Sequence, residues 1–97
     1  MKQIISMTAK TGKSREAMAV IKSLSEYVSK KYDQKGEVFM QLYGTAGTLY
    51  VINDYRDLAS SQALVGKIMA DDGYWAIANR LEDLLIAPPT ITLLQPV

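Results

Sequence analysis

The 97-residue sequence contains no cysteine and no histidine. Without cysteine there can be no disulfide, thiolate–zinc site, iron–sulfur ligation or cysteine nucleophile. Without histidine the commonest general base and metal ligand is missing. Any chemistry must then rest on tyrosine, lysine, arginine or carboxylates. No apolar run approaches the ~20 residues of a membrane span. The longest candidate, Leu84-Leu85-Ile86-Ala87, ends in Pro88-Pro89. The apolar pair Ile4-Ile5 behind Lys2 stops at Ser6, which is too short for a signal peptide. These absences make a cytoplasmic protein the expectation.

The composition is otherwise that of one folded domain over residues 1–97. It is 48% hydrophobic and 22% charged, with a net charge of +1, too apolar and too balanced for a disordered chain. The charge is unevenly spread: residues 1–48 carry eight basic and four acidic side chains, and residues 49–97 carry three and six. The basic excess lies around Lys10, Lys13, Arg15, Lys22, Lys30, Lys31 and Lys35. A nucleic-acid-binding domain would be clearly basic overall, with its basic residues along one face. This chain is not, so these residues read as a solvated helix face and no nucleic-acid partner is expected.

Periodicity gives the order of elements. Residues 2–10 alternate Ile4, Ser6 and Thr8 against Ile5, Met7 and Ala9, which predicts a strand. Residues 13–34 repeat Ala17, Ile21, Leu24 and Val28, widened by Met18, Val20 and Tyr27, which predicts an amphipathic helix capped by Ser14 or Thr11. Residues 37–43 and 48–55 read as two strands joined at Gly44-Thr45-Ala46-Gly47, an antiparallel hairpin. Asp57 is placed to cap a helix over 58–70. Asp71-Asp72-Gly73 interrupts and caps another over 74–86, which Pro88-Pro89 stops. Residues 90–95 form a last strand.

This β-α-β-β-α(α)-β order predicts an α+β, ferredoxin-like domain with a four-stranded antiparallel sheet. Helices cover one face of such a sheet. The alternating side chains make both faces largely apolar, whereas a half-solvated sheet should be polar on its outer face. An apolar open face exceeds what a monomer usually exposes. The expectation is therefore a homodimer through the sheet face, two sheets closing into a dimeric α/β barrel. An apolar, aromatic-lined cleft is expected between sheet and helices.

Residues 47–97 resemble the C-terminal half of the dimeric α/β-barrel superfamily. The residues that carry the resemblance are Leu49-Tyr50-Val51-Ile52-Asn53-Asp54-Tyr55, Arg56-Asp57-Leu58-Ala59, Ala70-Asp71-Asp72-Gly73-Tyr74-Trp75 and Ile91-Thr92-Leu93-Leu94-Gln95-Pro96-Val97. Within that superfamily the chain is similar to NIPSNAP-like and antibiotic-biosynthesis-monooxygenase-like proteins. The resemblance implies either a cofactor-free, monooxygenase-like enzyme acting on a small aromatic or apolar molecule, or a non-catalytic module that binds such a molecule or only dimerises. Haem-degrading relatives use an Asn, a Trp and a His. Asn53 and Trp75 match two of these, and no histidine supplies the third. The superfamily mixes enzymes and proteins of unknown role, so fold alone does not assign an activity.

Polar and aromatic groups available for a ligand are Tyr43, Tyr50, Asn53, Tyr55, Tyr74, Trp75 and Arg80. Of these, Tyr43, Tyr50, Asn53, Trp75 and Arg80 are the ligand-binding candidates. Lys10-Thr11-Gly12-Lys13-Ser14 echoes the end of a phosphate-binding loop, but Met7 stands where the first glycine is required. Gly47-Thr48-Leu49-Tyr50-Val51 echoes an RNA-recognition strand and lacks its basic and aromatic positions. Asp71-Asp72 reads as a helix cap rather than a metal pair. No metal and no cofactor is expected.

Overall fold

The computed structural model describes residues 1–97. It places strand β1 at Lys2–Thr8, helix α1 at Ser14–Tyr32, β2 at Gly36–Met40 and β3 at Thr48–Asp54. Helix α2 follows at Leu58–Met69, α3 at Asp72–Ala78, a single 3-10 turn at Asn79–Leu81 and β4 at Thr90–Leu94. The strands lie in the order β2-β3-β1-β4, every neighbour antiparallel. This is the ferredoxin-like plan that the element order predicts. No helix is long and apolar enough to cross a membrane.

The register sorts the strand residues into two faces. On the helix-covered face, Met40, Leu49 and Met7 form one row across the sheet. Val38, Val51, Ile5 and Ile91 form the next, and Gly36, Asn53, Gln3 and Leu93 the third. Helix α1 buries Ala17, Val20 and Ile21 against the first rows, three positions on one side of successive turns. Leu81, Leu84 and Leu85 close the same core.

Most element ends shift by one or two residues from the sequence reading, and three differences have a visible cause. Helix α1 begins at Ser14 behind Lys13, with no side-chain cap. The turn is closed instead by the Lys13 amide on the Lys10 carbonyl, at 2.9 Å. Strand β2 ends at Met40 rather than Tyr43: the Gln41 amide still donates to the Thr48 carbonyl at 3.0 Å, and beyond it the Gln41 side chain holds the loop, its Nε2 donating to the Tyr43 carbonyl at 2.7 Å and its Oε1 accepting from the Tyr50 hydroxyl at 2.6 Å. The helix expected over 74–86 is only α3 and the 3-10 turn. Beyond it the Lys10 amide donates to the Leu84 carbonyl at 2.8 Å, and the Ile86 amide to the Thr8 carbonyl at 3.0 Å. Backbone groups that would continue a helix are spent on the end of β1.

The open face of the sheet is more polar than the alternation suggests. Its centre is apolar, with Ile4 paired to Ile52 and Phe39 paired to Tyr50. Around it stand Ser6, Thr8, Thr48, Thr90 and Thr92, Glu37, and the Lys2–Asp54 ion pair at 2.8 Å.

Leu49 is 1% exposed and sits where β3 meets α1. Leu49→Ala is expected to lower the unfolding free energy by about 2–5 kcal/mol, read from urea denaturation at constant m-value. A loss under 1 kcal/mol would mean that this core does not hold the domain together.

Candidate functional site

Helix α2 stands off from the sheet. Asp57 starts it by accepting from the Ser60 amide at 2.7 Å, and its inward side chains Val65, Ile68 and Met69 meet the strands across a cavity of about 170 Å³. The walls are Ile5, Met7 and Val51 from the sheet, Ile21, Leu24 and Val28 from α1, and Leu81, Pro89 and Ile91 beyond α3. Because α2 does not reach β4, Ile91 is 61% exposed although it faces the helix side.

Polar groups gather at one end. Gln3 and Asn53 are cross-strand partners, and each interrupts an otherwise apolar row. The Asn53 Nδ2 donates to Gln3 Oε1 at 3.0 Å, and the Tyr55 hydroxyl donates to the same oxygen at 3.4 Å. Gly36, opposite Asn53, leaves the room this requires: a Cβ there would stand 2.5 Å from Asn53 Oδ1. Tyr74 enters from α3. Burial raises the Tyr55 phenol above its ordinary pKa, helped by neighbouring Tyr74, and burial alone raises Tyr74. Both phenols therefore stay protonated at neutral pH. No side chain that is charged at neutral pH lines the cavity.

Tyr74 is held in place by a second polar cluster. Asp71, with only 4% of its side chain exposed, caps α3 by accepting from the Gly73 and Tyr74 amides at 2.9 and 3.3 Å. It also accepts from the Tyr27 hydroxyl at 2.8 Å, the Tyr32 hydroxyl at 2.6 Å and Lys31 Nζ at 2.9 Å, all from the end of α1. The Tyr32 hydroxyl, then Lys31, hold the carboxyl well below the usual range. In return Asp71, then Tyr27, raises the Lys31 ammonium, and Asp71 raises the Tyr32 phenol. A Cβ at Gly73 would collide with the Tyr27 hydroxyl, so a side chain there would push Tyr27 off the carboxylate.

The five candidates from the sequence are not brought together. Asn53 lines the cavity. Tyr43 is 90% exposed in the β2–β3 loop. Tyr50 lies on the open sheet face and donates to Gln41. Trp75 is 40% exposed, packs edge-on to Tyr74, and donates its Nε1 to the Met69 carbonyl at 2.9 Å. Arg80 is exposed on the 3-10 turn. Tyr55 and Tyr74, in the wider set of available groups, line the cavity with Asn53. Gln3 was missed. Its signal was a polar residue in the same alternation as Ile5, Met7 and Ala9, on the face meant for the core.

No family model and no curated protein sequence matches the chain. Solved structures do match its fold. An uncharacterized NIPSNAP domain protein from Burkholderia xenovorans superposes with a TM-score of 0.79 at 16% identity, over 97% of this chain and 93% of that one. A NIPSNAP family protein of unknown function from Agrobacterium tumefaciens gives 0.83 at 16% identity, over 98% and 86%. An antibiotic-biosynthesis-monooxygenase-like protein from Nitrosomonas europaea gives 0.77 at 10% identity, over 99% and 97%. The chain thus has the fold these proteins share, in agreement with the resemblance seen in its sequence.

The Asp71 cluster should shape the pH dependence of stability. Asp71 has a folded-state pKa below its unfolded value of ~3.9. Its contribution is therefore full above about pH 5 and lost as pH falls toward the folded-state value. Lys31 and Tyr32 are shifted upward, so their contributions are present below their unfolded values of ~10 and are lost as pH rises through the folded ones. The expected Tm profile is a plateau between those limits. Asp71→Asn should lower Tm across the plateau and flatten the acid limb. An unchanged acid limb would show that other carboxylates govern it.

Proposed function

We propose that the protein is a homodimer that holds a small apolar or aromatic molecule in the cavity between its sheet and its helices. The observation that carries this reading is the cavity itself: apolar walls, amide and phenol groups at one end, and no charge at neutral pH. Protein interiors are close-packed. The space is reached by solvent past Met69 and Ile91, which are 46% and 61% exposed. A bound apolar molecule would release water from the cavity's apolar walls. Engineered apolar cavities of ~150 Å³ bind benzene, so the space suits a small ring.

The dimer is supported by the open sheet face. Ile4, Ile52, Tyr50 and Phe39 form an apolar centre ringed by threonines, serine and charged residues, the distribution of a protein–protein interface. Phe39 is 44% exposed in the single chain, and a second copy facing it would bury it.

The second reading, implied by the sequence resemblance, is that the held molecule is oxidised by oxygen without a cofactor; the similar Nitrosomonas europaea protein is named for antibiotic-biosynthesis monooxygenase activity. The amides and phenols at the polar end favour it, since they would orient a carbonyl or phenolic substrate. Such a substrate would have to ionise without a base from the cavity, because Tyr55 and Tyr74 are the only titratable side chains lining it and both are shifted upward. Binding therefore leads and oxygenation follows.

Native mass spectrometry of the protein as purified tests the main reading. The expected result is a dimer with extra mass from a retained small molecule. Ile52→Glu, in the centre of the open face, should give a monomer at micromolar concentration. Asn53→Ala should reduce the retained mass, whereas Trp75→Phe should not. A wild-type monomer would overturn the dimer. Oxygen uptake with quinol or anthrone-like substrates separates the two readings: turnover that Asn53→Ala abolishes without loss of the dimer would establish the enzyme.

A further inference from the structure

The cavity's polar end contains two donors that reach no protein acceptor, the Gln3 amide nitrogen and the Tyr74 hydroxyl, and of these Gln3 is the one fixed on the sheet by its own side-chain bonds. Gln3 is 8% exposed, and its Oε1 is occupied by Asn53 and Tyr55. Its Nε2 donates to no protein group. No fully inaccessible polar side-chain atom lacks a partner in this chain, so that nitrogen keeps some accessible surface, and Gln3 lines the cavity. Of the other polar side chains in the lining, Ser25 donates to the Gly36 carbonyl at 3.2 Å and Gln34 to the Asp54 carbonyl at 3.0 Å. An amide hydrogen that is accessible and meets no protein acceptor is free to bond a ligand oxygen.

We propose that the cavity selects a neutral, single-ring molecule carrying a carbonyl or hydroxyl oxygen, and that the Gln3 amide nitrogen is the group that recognises that oxygen. This rests on the cavity reading above and narrows it to a ligand class. Neutrality follows from the lining, which offers neither cation nor anion. A carboxylate or an ammonium would give up its hydration with no opposite charge to replace it. Ring number follows from volume: a benzene-sized cavity measures ~150 Å³, so about 170 Å³ takes one ring and a short substituent. The oxygen is assigned by Gln3 Nε2, which is aimed by its own bonds to Asn53 and Tyr55. Asn53 is in turn given room by Gly36. The phenol of Tyr74, a donor and acceptor that burial keeps protonated, suits either a carbonyl or a hydroxyl.

Four probes test this on the purified protein. Acetophenone has the ring and the carbonyl. Benzoate has nearly the same shape with a negative charge. Isopropylbenzene has nearly the same shape without oxygen. 2-Acetylnaphthalene adds a ring. Chemical shifts of the Met7, Val65 and Ile68 methyl groups report binding and place it in the cavity. Acetophenone should bind about tenfold more tightly than isopropylbenzene, the worth of one hydrogen bond. It should bind at least about a hundredfold more tightly than benzoate, and more tightly than 2-acetylnaphthalene. In Gln3→Leu the tenfold preference over isopropylbenzene should vanish while isopropylbenzene still binds.

Equal binding of acetophenone and isopropylbenzene to the wild-type protein would overturn the role of Gln3 and leave the cavity reading standing. Tyr74→Phe is the second variant: it should keep the preference for acetophenone, and a preference lost there would assign the oxygen to Tyr74 and overturn the role of Gln3 even if Gln3→Leu does not fold. Benzoate binding as tightly as acetophenone would overturn neutrality, and 2-acetylnaphthalene doing so would overturn the single ring. If no probe moves the three methyl groups, the cavity reading falls and this inference falls with it.

Discussion

The Asp71 carboxylate is the constraint around which the helical layer is arranged. Five donors converge on it, from Tyr27, Tyr32, Lys31 and the first amides of α3. The contact joins the last turns of α1 to the start of α3, and these two helices make the most extensive helix–helix packing in the domain. Removing such a carboxylate from water is unfavourable unless every lone pair is met. Here charge-assisted donors meet it from two directions. Gly73 permits the approach, and Trp75 ties the corner to the end of α2 through the Met69 carbonyl.

The cavity is a consequence of that corner. With the α2–α3 joint tied to α1, α2 is carried above the sheet rather than pressed onto β4. Val65, Ile68 and Met69 then face Ile5, Met7 and Val51 across open space. The cross-strand pair of Gln3 and Asn53 supplies polarity where a well-filled core would have none. The same sheet presents an apolar centre on its other side. One small sheet thus carries two surfaces that its own chain does not fill, a cavity beneath the helices and a face without helices.

Much of this architecture could be read along the chain. Asp57 and Asp71 cap helices where their positions suggested, because capping depends on a side chain and the amides two or three residues on. The apolar stripe of α1 marked Ala17 and Ile21, and the alternation in β1 set Met7 on one side with Ile5, for the same local reason, while packing decided that this side is the core. The readings that failed depended on distant partners. The helix expected through Ile86 stops because Thr8 and Lys10 take its backbone groups. Past β2 the Gln41 side chain holds the loop through Tyr50 and the Tyr43 carbonyl.

The candidate site divides along the same line. Aromatic density drew attention to Tyr43, Tyr50 and Trp75, yet counting aromatics says nothing about which side of a strand or helix each occupies. Asn53, Tyr55 and Tyr74 meet Gln3 only because antiparallel register sets residue 3 opposite residue 53 and because Asp71 anchors α3 beside them. Periodicity and capping act over one or two turns of chain, so the order of elements, the one-sided helical layer and the apolar stripe of α1 were settled by the residues in sequence. The cavity, its lack of charge and its polar end arise from side chains about 50 residues apart. Their meeting was settled only when strands and helices packed, since hydrogen bonding and burial depend on distance in space rather than along the chain.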